Sequence, residues 1–413
     1  MSNGSTMTGL AVVVPTRNRA DLVELTLASV LDQSGELPAD VTLTVVVSDN
    51  STSEEQADLT REAVRRLEQT AAEGTVVRLV GPGEDLPMGK HWEWARRQVQ
   101  ALPGVTHLMY LTDRTLLKRG ALARLAALAA AHPDEVVSFN NDEVNDDVSP
   151  VTLSAQRGSG EVHRVPAHRL KELSSELILA RPLPRALNSV MPASALARIE
   201  SRHGDVFDSV APDFCFCFRH LDDASELVYV DQSLTVMHGL ARSNGRSTTS
   251  GVASPDTTDF IKHSTRGIAP WAPLPGVETT YNVIASEYAR DPAREPALNR
   301  RAYDWVLAAE TDGFAPGPMR DANVRELEVA GQGFGRFPAL RRQLQRVVHF
   351  LRVLGPRDFV VLALDRRAQP APRLFPTKEE ALDWARTHDE QGSAAALRYL
   401  QGDRVPGAQH ATE

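Results

Sequence analysis

The chain has 413 residues, enough for a large buried core, and its 42% hydrophobic and 24% charged content is ordinary for a globular protein. A formal net charge of -9 excludes nucleic acid as the main partner, since binding a phosphate backbone needs a net basic face, but a local basic cluster can still take a small anion. No apolar run approaches the ~18–20 residues of a membrane-crossing helix, and no signal-peptide pattern opens the chain.

In chain order, the β-branched run at Val12, Val13 and Val14 predicts a strand buried on both faces, stopped by Pro15. Thr16, Arg17, Asn18 and Arg19 make a polar, basic turn, and Val23, Leu27, Val30 and Leu31 then recur on one helix face. Val41–Val47 reads as a second strand ending in Ser48-Asp49-Asn50-Ser51, and overlapping capping boxes at Ser51–Glu55 start a helix to about Glu73. A third strand is expected over Thr75–Val80, a helix over Met88–Gln100, and a fourth strand over His107–Leu111 that ends in Thr112-Asp113-Arg114. Lys118–Ala131 reads as a helix, and Glu135–Phe139 as a fifth strand running into the acidic loop Asn140–Asp147. Strands alternating with helices imply a parallel α/β sheet with right-handed crossovers. The polar signatures all fall at the carboxyl ends of the strands, where open parallel sheets bind ligands.

Periodicity is lost from Ser149 to about Arg185, which fits either a substrate-facing lid or a surface excursion. Ala211-Pro212-Asp213 starts a helix, with proline and an acid in the first turn. That helix carries Cys215 and Cys217, which form no disulfide framework or metal set and read as core residues of a protein from a reducing cytoplasm. Leu227–Val236 alternates like a strand and leads into the basic loop His238–Ser247. Beyond it, helices are expected over Asn282–Ala289, Asn299–Thr311, Phe337–Leu354 and Lys378–Arg386, with a short strand at Phe359–Leu364. Trp92 and Trp94 read as core more readily than as sugar platforms, and the arginine-bearing helix from Phe337 as core-facing with a basic outer side.

The motifs Val12-Val-Val-Pro-Thr-Arg-Asn-Arg19, Val45-Val-Val-Ser-Asp-Asn-Ser51, Leu111-Thr-Asp-Arg-Thr-Leu-Leu-Lys-Arg-Gly-Ala-Leu122 and Ala211-Pro-Asp-Phe214 resemble those of the family 2 inverting glycosyltransferases of GT-A fold. The resemblance covers roughly residues 10–247. It implies a doubly wound, mostly parallel sheet with a mainly helical C-terminal extension. The expected layout is a flexible N-terminus over 1–9, a nucleotide-sugar and acceptor domain over 10–250, a helical region over 251–400 and a disordered tail over 401–413.

Carried over, Pro15, Thr16, Arg17 and Asp49 would hold the nucleotide, and Asp213 would be the general base that takes the acceptor's hydroxyl proton. The resemblance departs at Thr112-Asp113-Arg114, where the family usually has an Asp-x-Asp pair binding a divalent cation. Here only Asp113 remains, and Arg114, helped by Lys90 and by Arg242 or Arg246, would neutralise the diphosphate directly. The expectation is thus a weak or absent need for Mg or Mn. The rival is a metal held by Asp113 with His238, or by the acidic cluster Asp142, Glu143, Asp146 and Asp147. The function implied is transfer of a hexose, glucose from UDP-glucose first among them, to a hydroxyl of a soluble acceptor. Such an acceptor would be a secondary metabolite, as in antibiotic biosynthesis, or a glycan. Alternatives are a nucleotidyltransferase, although its usual glycine-rich loop is missing after the first strand, or a nucleotide-sugar-binding protein without catalysis.

Overall fold

The computed structural model describes residues 7–243, 273–331, 338–393, 397, 399–400 and 403–404. Four parallel strands make one half of its sheet: β1 (Thr8–Thr16), β2 (Val41–Asp49), β3 (Val76–Val80) and β4 (His107–Tyr110), in the order β3-β2-β1-β4. The helices between them are α1 (Ala20–Leu31), α2 (Glu54–Glu68) and α3 (Met88–Gln100). A short β5 (Thr115–Leu117) and α4 (Ala121–Ala131) lead to β6 (Val137–Asn145).

Next come β7 (Val151–Ser154), β8 (Arg157–Gly158), β9 (Val162–Pro166) and α5 (Ala167–Ser175). They are followed by β10 (Ser189–Pro192), α6 (Ala193–His203), α7 (Pro212–Asp223) and β11 (Glu226–Met237). The sheet continues past β4 as β10-β6-β11-β9, in which β10 and β9 run antiparallel to their neighbours and β6 and β11 run parallel to each other.

The apolar runs of β1 explain its central place, since every residue of Thr8–Thr16 is buried. Its alternate side chains feed two layers. Leu10, Val12 and Val14 pack with Val23, Leu27, Leu122 and Leu125 on one face, and Ala11 and Val13 pack with Trp92, Tyr110, Phe207 and Phe216 on the other. Trp92 stacks on Tyr110 at 5.0 Å between ring centroids, so it belongs to the core. Gly89 lets the start of α3 press against the 207–209 turn, because a Cβ there would lie 2.2 Å from the Ser209 carbonyl oxygen.

Several elements differ from the sequence expectation. The fifth strand does not stop at Phe139 but continues to Asn145, so most of the acidic stretch is strand. The aperiodic region 149–185 supplies β7, β8, β9 and α5, with β9 paired along β11, and is part of the framework. Phe359–Leu364 is helical, within Pro338–Ala368, a helix kinked at Gly355. Helical periodicity and a short strand are hard to separate in a run of six residues.

The helices Thr280–Ala289 and Arg300–Asp312 share one core with α5 and α7. Arg373–Phe375 pairs with β7, and Asp403–Arg404 pairs with β9. The main core and sheet therefore run across the expected boundary at 250, Thr8 and Gly9 already belong to β1, and Asp403–Arg404 is strand where a disordered tail was expected. Among the described residues no helix is long and apolar enough to cross a membrane.

Candidate active site

The carboxyl ends of β1, β2 and β4 form one rim. Thr16 pairs with Asp49 in register, and the Leu111 amide donates to the Val13 carbonyl at 3.0 Å, so the turn after β4 opens beside the turn after β1. The Thr16 hydroxyl donates to Asp113 Oδ2 at 3.1 Å, and Arg19 Nη1 lies 3.6 Å from Asp113 Oδ1. Thr16 and Asp113 are each 3% exposed, which makes this a desolvated carboxylate held by a hydroxyl and a guanidinium.

Asn18 joins the first two turns. Its φ of 53° lies in the left-handed region that asparagine tolerates, and its side-chain oxygen accepts from the amides of Thr52 and Ser53 at 3.0 and 3.1 Å. Asp49 Oδ1 accepts from the Ser51 amide at 2.9 Å and from the Ser51 hydroxyl. Burial pushes the Asp49 carboxyl above its usual value, opposed by those Ser51 bonds and the charge of Arg61. Arg17 ion-pairs with Asp85 and donates to the Asn50 carbonyl at 3.3 Å, and Asn50 in turn holds Leu86, so the loop after β3 closes that side. Thr112 shares a 2.7 Å hydrogen bond with Thr115 that shapes the turn before β5.

The segment after β11 returns across the first turn. Arg114 donates to the His238 carbonyl and to the Ser243 hydroxyl, both at 3.1 Å. Burial lowers the Arg114 pKa, and the charge of Asp113 resists that. Arg242 grips both oxygens of Asp21 at 2.9 Å and reaches the Asn18 carbonyl at 3.2 Å, while Arg19 Nη2 donates to the Arg242 carbonyl at 2.7 Å. His238 is fully buried, neither ring nitrogen has a hydrogen-bond partner among the described residues, and burial pulls its pKa down to about 4. It is a neutral imidazole at physiological pH.

Asp213 lies in the first turn of α7, just after Pro212. Burial pushes its carboxyl up from the usual value, while the charge of Arg185 and the amides of Phe214 and Asp213 hold it back. No hydrogen bond or ion pair joins it to Thr16 or Asp113 among the described residues. Phe214 and Arg185 instead border a cavity of about 250 Å³ at the middle of β6, with Asn140, Asn141, Arg181 and Asn188. Asn188 immediately precedes β10, which lies between β4 and β6, so this cavity adjoins the Asp113 turn along the sheet.

No family model and no curated protein sequence matches this chain. Solved structures do resemble it in shape. Staphylococcus aureus TarS is 14% identical over 80% of this chain, with a TM-score of 0.44, and this chain spans 56% of that protein's length. TarS residues 1–349 in complex with UDP-GlcNAc are 13% identical, and in complex with UDP 15% identical. Each covers 79% of this chain and is itself 93% covered, with a TM-score of 0.44. At that distance the likeness carries no residue roles, and the chemistry has to be argued from this chain.

Thr16, Asp49, Thr112, Asp113, Arg114, His238 and Arg242 gather around the rim, with Pro15 at the end of β1 and Arg17 on the β3 side. Lys90 does not join them. It lies 3.2 Å from Asp205 and 3.9 Å from Asp208, so the first turn of α3 is tied to the loop before α7. Arg246 lies outside the described residues.

Three of the five carboxylates considered for a metal are already balanced. Asp113 is held by Thr16 and Arg19, Asp142 by Lys118 at 3.0 Å and the Gln156 amide at 2.8 Å, and Asp146 by Lys378 at 2.8 Å and the Gly239 amide at 2.9 Å. Among the described residues no group of three or more His, Cys, Asp or Glu could hold a metal ion. Asp113, Asp142 and Asp146 are thus already committed to partners within this chain. Sequence reasoning missed Arg19 and Asp85. The basic turn after β1 was the signal for Arg19, whereas nothing local marks Asp85 as the partner of Arg17.

Proposed function

We propose that this chain is an inverting glycosyltransferase that moves a hexose from a nucleoside diphosphate sugar to an acceptor hydroxyl. The observation that carries the reading is the meeting of Thr16, Asp113 and Arg19 at the shared carboxyl rim of β1, β2 and β4, where open sheets bind nucleotides. Asp49, at the end of β2, suits hydrogen bonds from a base or ribose, and UDP-glucose is the donor to try first. The departing diphosphate gains negative charge, and Arg19 and Arg114 are the guanidiniums nearest to Asp113 that suit its stabilisation. No step is routed through a metal. Asp213 then removes the acceptor proton as the hydroxyl attacks the anomeric carbon from the face opposite the diphosphate. Its pKa, raised by burial, makes it a stronger base than an exposed aspartate. The acceptor would be a secondary metabolite or a glycan, and the buried, reduced Cys215 and Cys217 suit the cytoplasm.

The test is release of nucleoside diphosphate from UDP-glucose and other sugar nucleotides over a panel of hydroxyl acceptors, with and without chelator. Turnover that persists in chelator supports this reading. Binding without turnover across the panel, or release of pyrophosphate from a nucleotide triphosphate and sugar phosphate, overturns it in favour of a binding protein or a nucleotidyltransferase.

A further inference from the structure

The cavity beside Asp213 has a composition that the general reading does not explain. Two of its lining side chains are arginines, Arg181 and Arg185, and no carboxylate lines it. Asp231 lies 3.9 Å from Arg181 and is occupied by the Ser159 amide and hydroxyl and by the Tyr229 hydroxyl, while Arg181 Nη1 donates to the Arg157 carbonyl at 3.1 Å and Asp213 feels the charge of Arg185. Arg185 lies over the Phe214 ring at 5.8 Å and has one long hydrogen bond, 3.5 Å, to Asn141. Its guanidinium thus sits over an aromatic face, a cation–π contact that uses none of its N–H donors.

Asn188 adds a second, independent feature. Its amide nitrogen donates to the Phe139 and Leu183 carbonyls at 2.9 and 3.2 Å. Two carbonyl acceptors fix which end of the amide is nitrogen, so the other end is an oxygen. That Oδ1 is buried and has no hydrogen-bond partner among the described residues. A buried acceptor left unsatisfied costs about 1–3 kcal/mol. A ligand hydroxyl donating to it would recover that.

Resting on the glycosyltransferase reading, we propose that this cavity is the acceptor site and that it selects an acceptor carrying an anionic group, phosphate or carboxylate, next to its hydroxyls. The anion lies on Arg185 with Arg181 behind it, and one hydroxyl donates to Asn188 Oδ1. A second cavity of about 260 Å³ shares Gln156, Leu179 and Arg181 with the first and is also bordered by Arg366. The positively lined path therefore continues away from Asp213, and an acceptor longer than one sugar has room to extend along it.

Thermal-shift titration and calorimetry on the whole chain test this with glycerol 3-phosphate, glucuronate and neutral glycerol and glucose as probes. Glycerol 3-phosphate or glucuronate should raise the Tm and the neutral probes should not, the stronger of the two anions naming the class. Arg185→Gln should weaken that binding about 10- to 100-fold, as expected for a lost charge-assisted bond, with Arg185→Lys in between. Asn188→Leu should weaken it without removing the preference for an anion. UDP should bind wild type and Arg185→Gln equally. Equal shifts from neutral and anionic probes overturn the proposal. So does an anion shift that survives in Arg185→Gln but vanishes at saturating UDP, because the anion would then occupy the rim near Arg19. Failure of UDP to bind any form would strike the donor reading instead and leave the anion result standing.

Discussion

Glu287 offers a sharp test of how the C-terminal helices are joined to the site domain. It lies in Thr280–Ala289, 4% exposed, and packs towards α7 and the 207–209 turn among Ser209, Cys215, Arg219, Arg290 and Asp208. Burial raises its pKa from 4.5 to about 7, against the attraction of Arg290 and Arg219 and a bond with Ser209. The native state thus keeps the proton over a range in which the unfolded chain has lost it. Its contribution to stability is complete below pH 4.5 and is lost as pH rises through about 7. At about 1.4 kcal/mol per unit, the swing is about 3 kcal/mol. Glu287→Gln keeps a neutral group of the same shape at every pH. Urea unfolding at pH 4.5 and pH 8 should therefore show the variant gaining about 3 kcal/mol relative to wild type between the two. A difference between variant and wild type that stays flat or moves the other way refutes a protonated glutamic acid at this position.

Four further variants follow from the contacts at the rim and beneath it. Thr16→Val removes the hydroxyl that donates to Asp113 but keeps the shape; it should weaken UDP binding by about tenfold in calorimetry while leaving the far-UV spectrum unchanged. Lys118→Met strands Asp142, whose Oδ2 lies 3.0 Å from Lys118 Nζ in a buried pair that also ties down Asp389; urea unfolding should show a loss of about 3–5 kcal/mol. Asp213→Asn should abolish turnover with UDP binding retained, and in wild type the acidic limb of the rate profile should fall above the usual aspartate range, since burial raises that carboxyl. Arg185→Gln should move that limb higher still, because it removes the charge that holds the Asp213 pKa back.

The first half of the fold is legible in the sequence because its two leading strands are β-branched runs with buried centres and its turns are polar. Val12–Val14 and Val45–Val47 need no tertiary knowledge to be read as central strands. The second half is harder because its strands depend on partners far away in sequence. β9 is a strand because it lies along β11, more than sixty residues later, and Arg373–Phe375 because β7 offers an edge. The acidic run after Phe139 has the composition of a solvated loop. Yet Asp142 is buried in strand, because Lys118 reaches it from the segment just after β5 and the amide of Gln156 covers its other oxygen. Such long-range neutralisation cannot be read locally.

The same distinction governs the site. The rim position of Thr16, Asp49 and Asp113 was readable because the first two end strands of the parallel half and the third lies in the turn after β4, and parallel strands deliver their ends to one rim whatever their side chains. Lys90 follows a different logic. It starts a helix, and the direction of its side chain was settled by Asp205 and Asp208 in a loop more than a hundred residues later. What sets the charge at the rim is therefore pairing and not residue count. Arg242 is committed to Asp21, its Nη1 meeting both carboxylate oxygens, and Arg17 to Asp85, whereas Arg19 stands 3.6 Å from Asp113, beyond hydrogen-bond length, and donates through Nη2 to the Arg242 carbonyl. An incoming anion would have to displace a carboxylate at close range to recruit Arg242 or Arg17, whereas the carboxylate facing Arg19 stands further off and the Arg242 carbonyl holds its other nitrogen. Arg19 is thus fixed at the rim between the Asp113 carboxylate and the Arg242 carbonyl, which aims its guanidinium along the first turn beforehand.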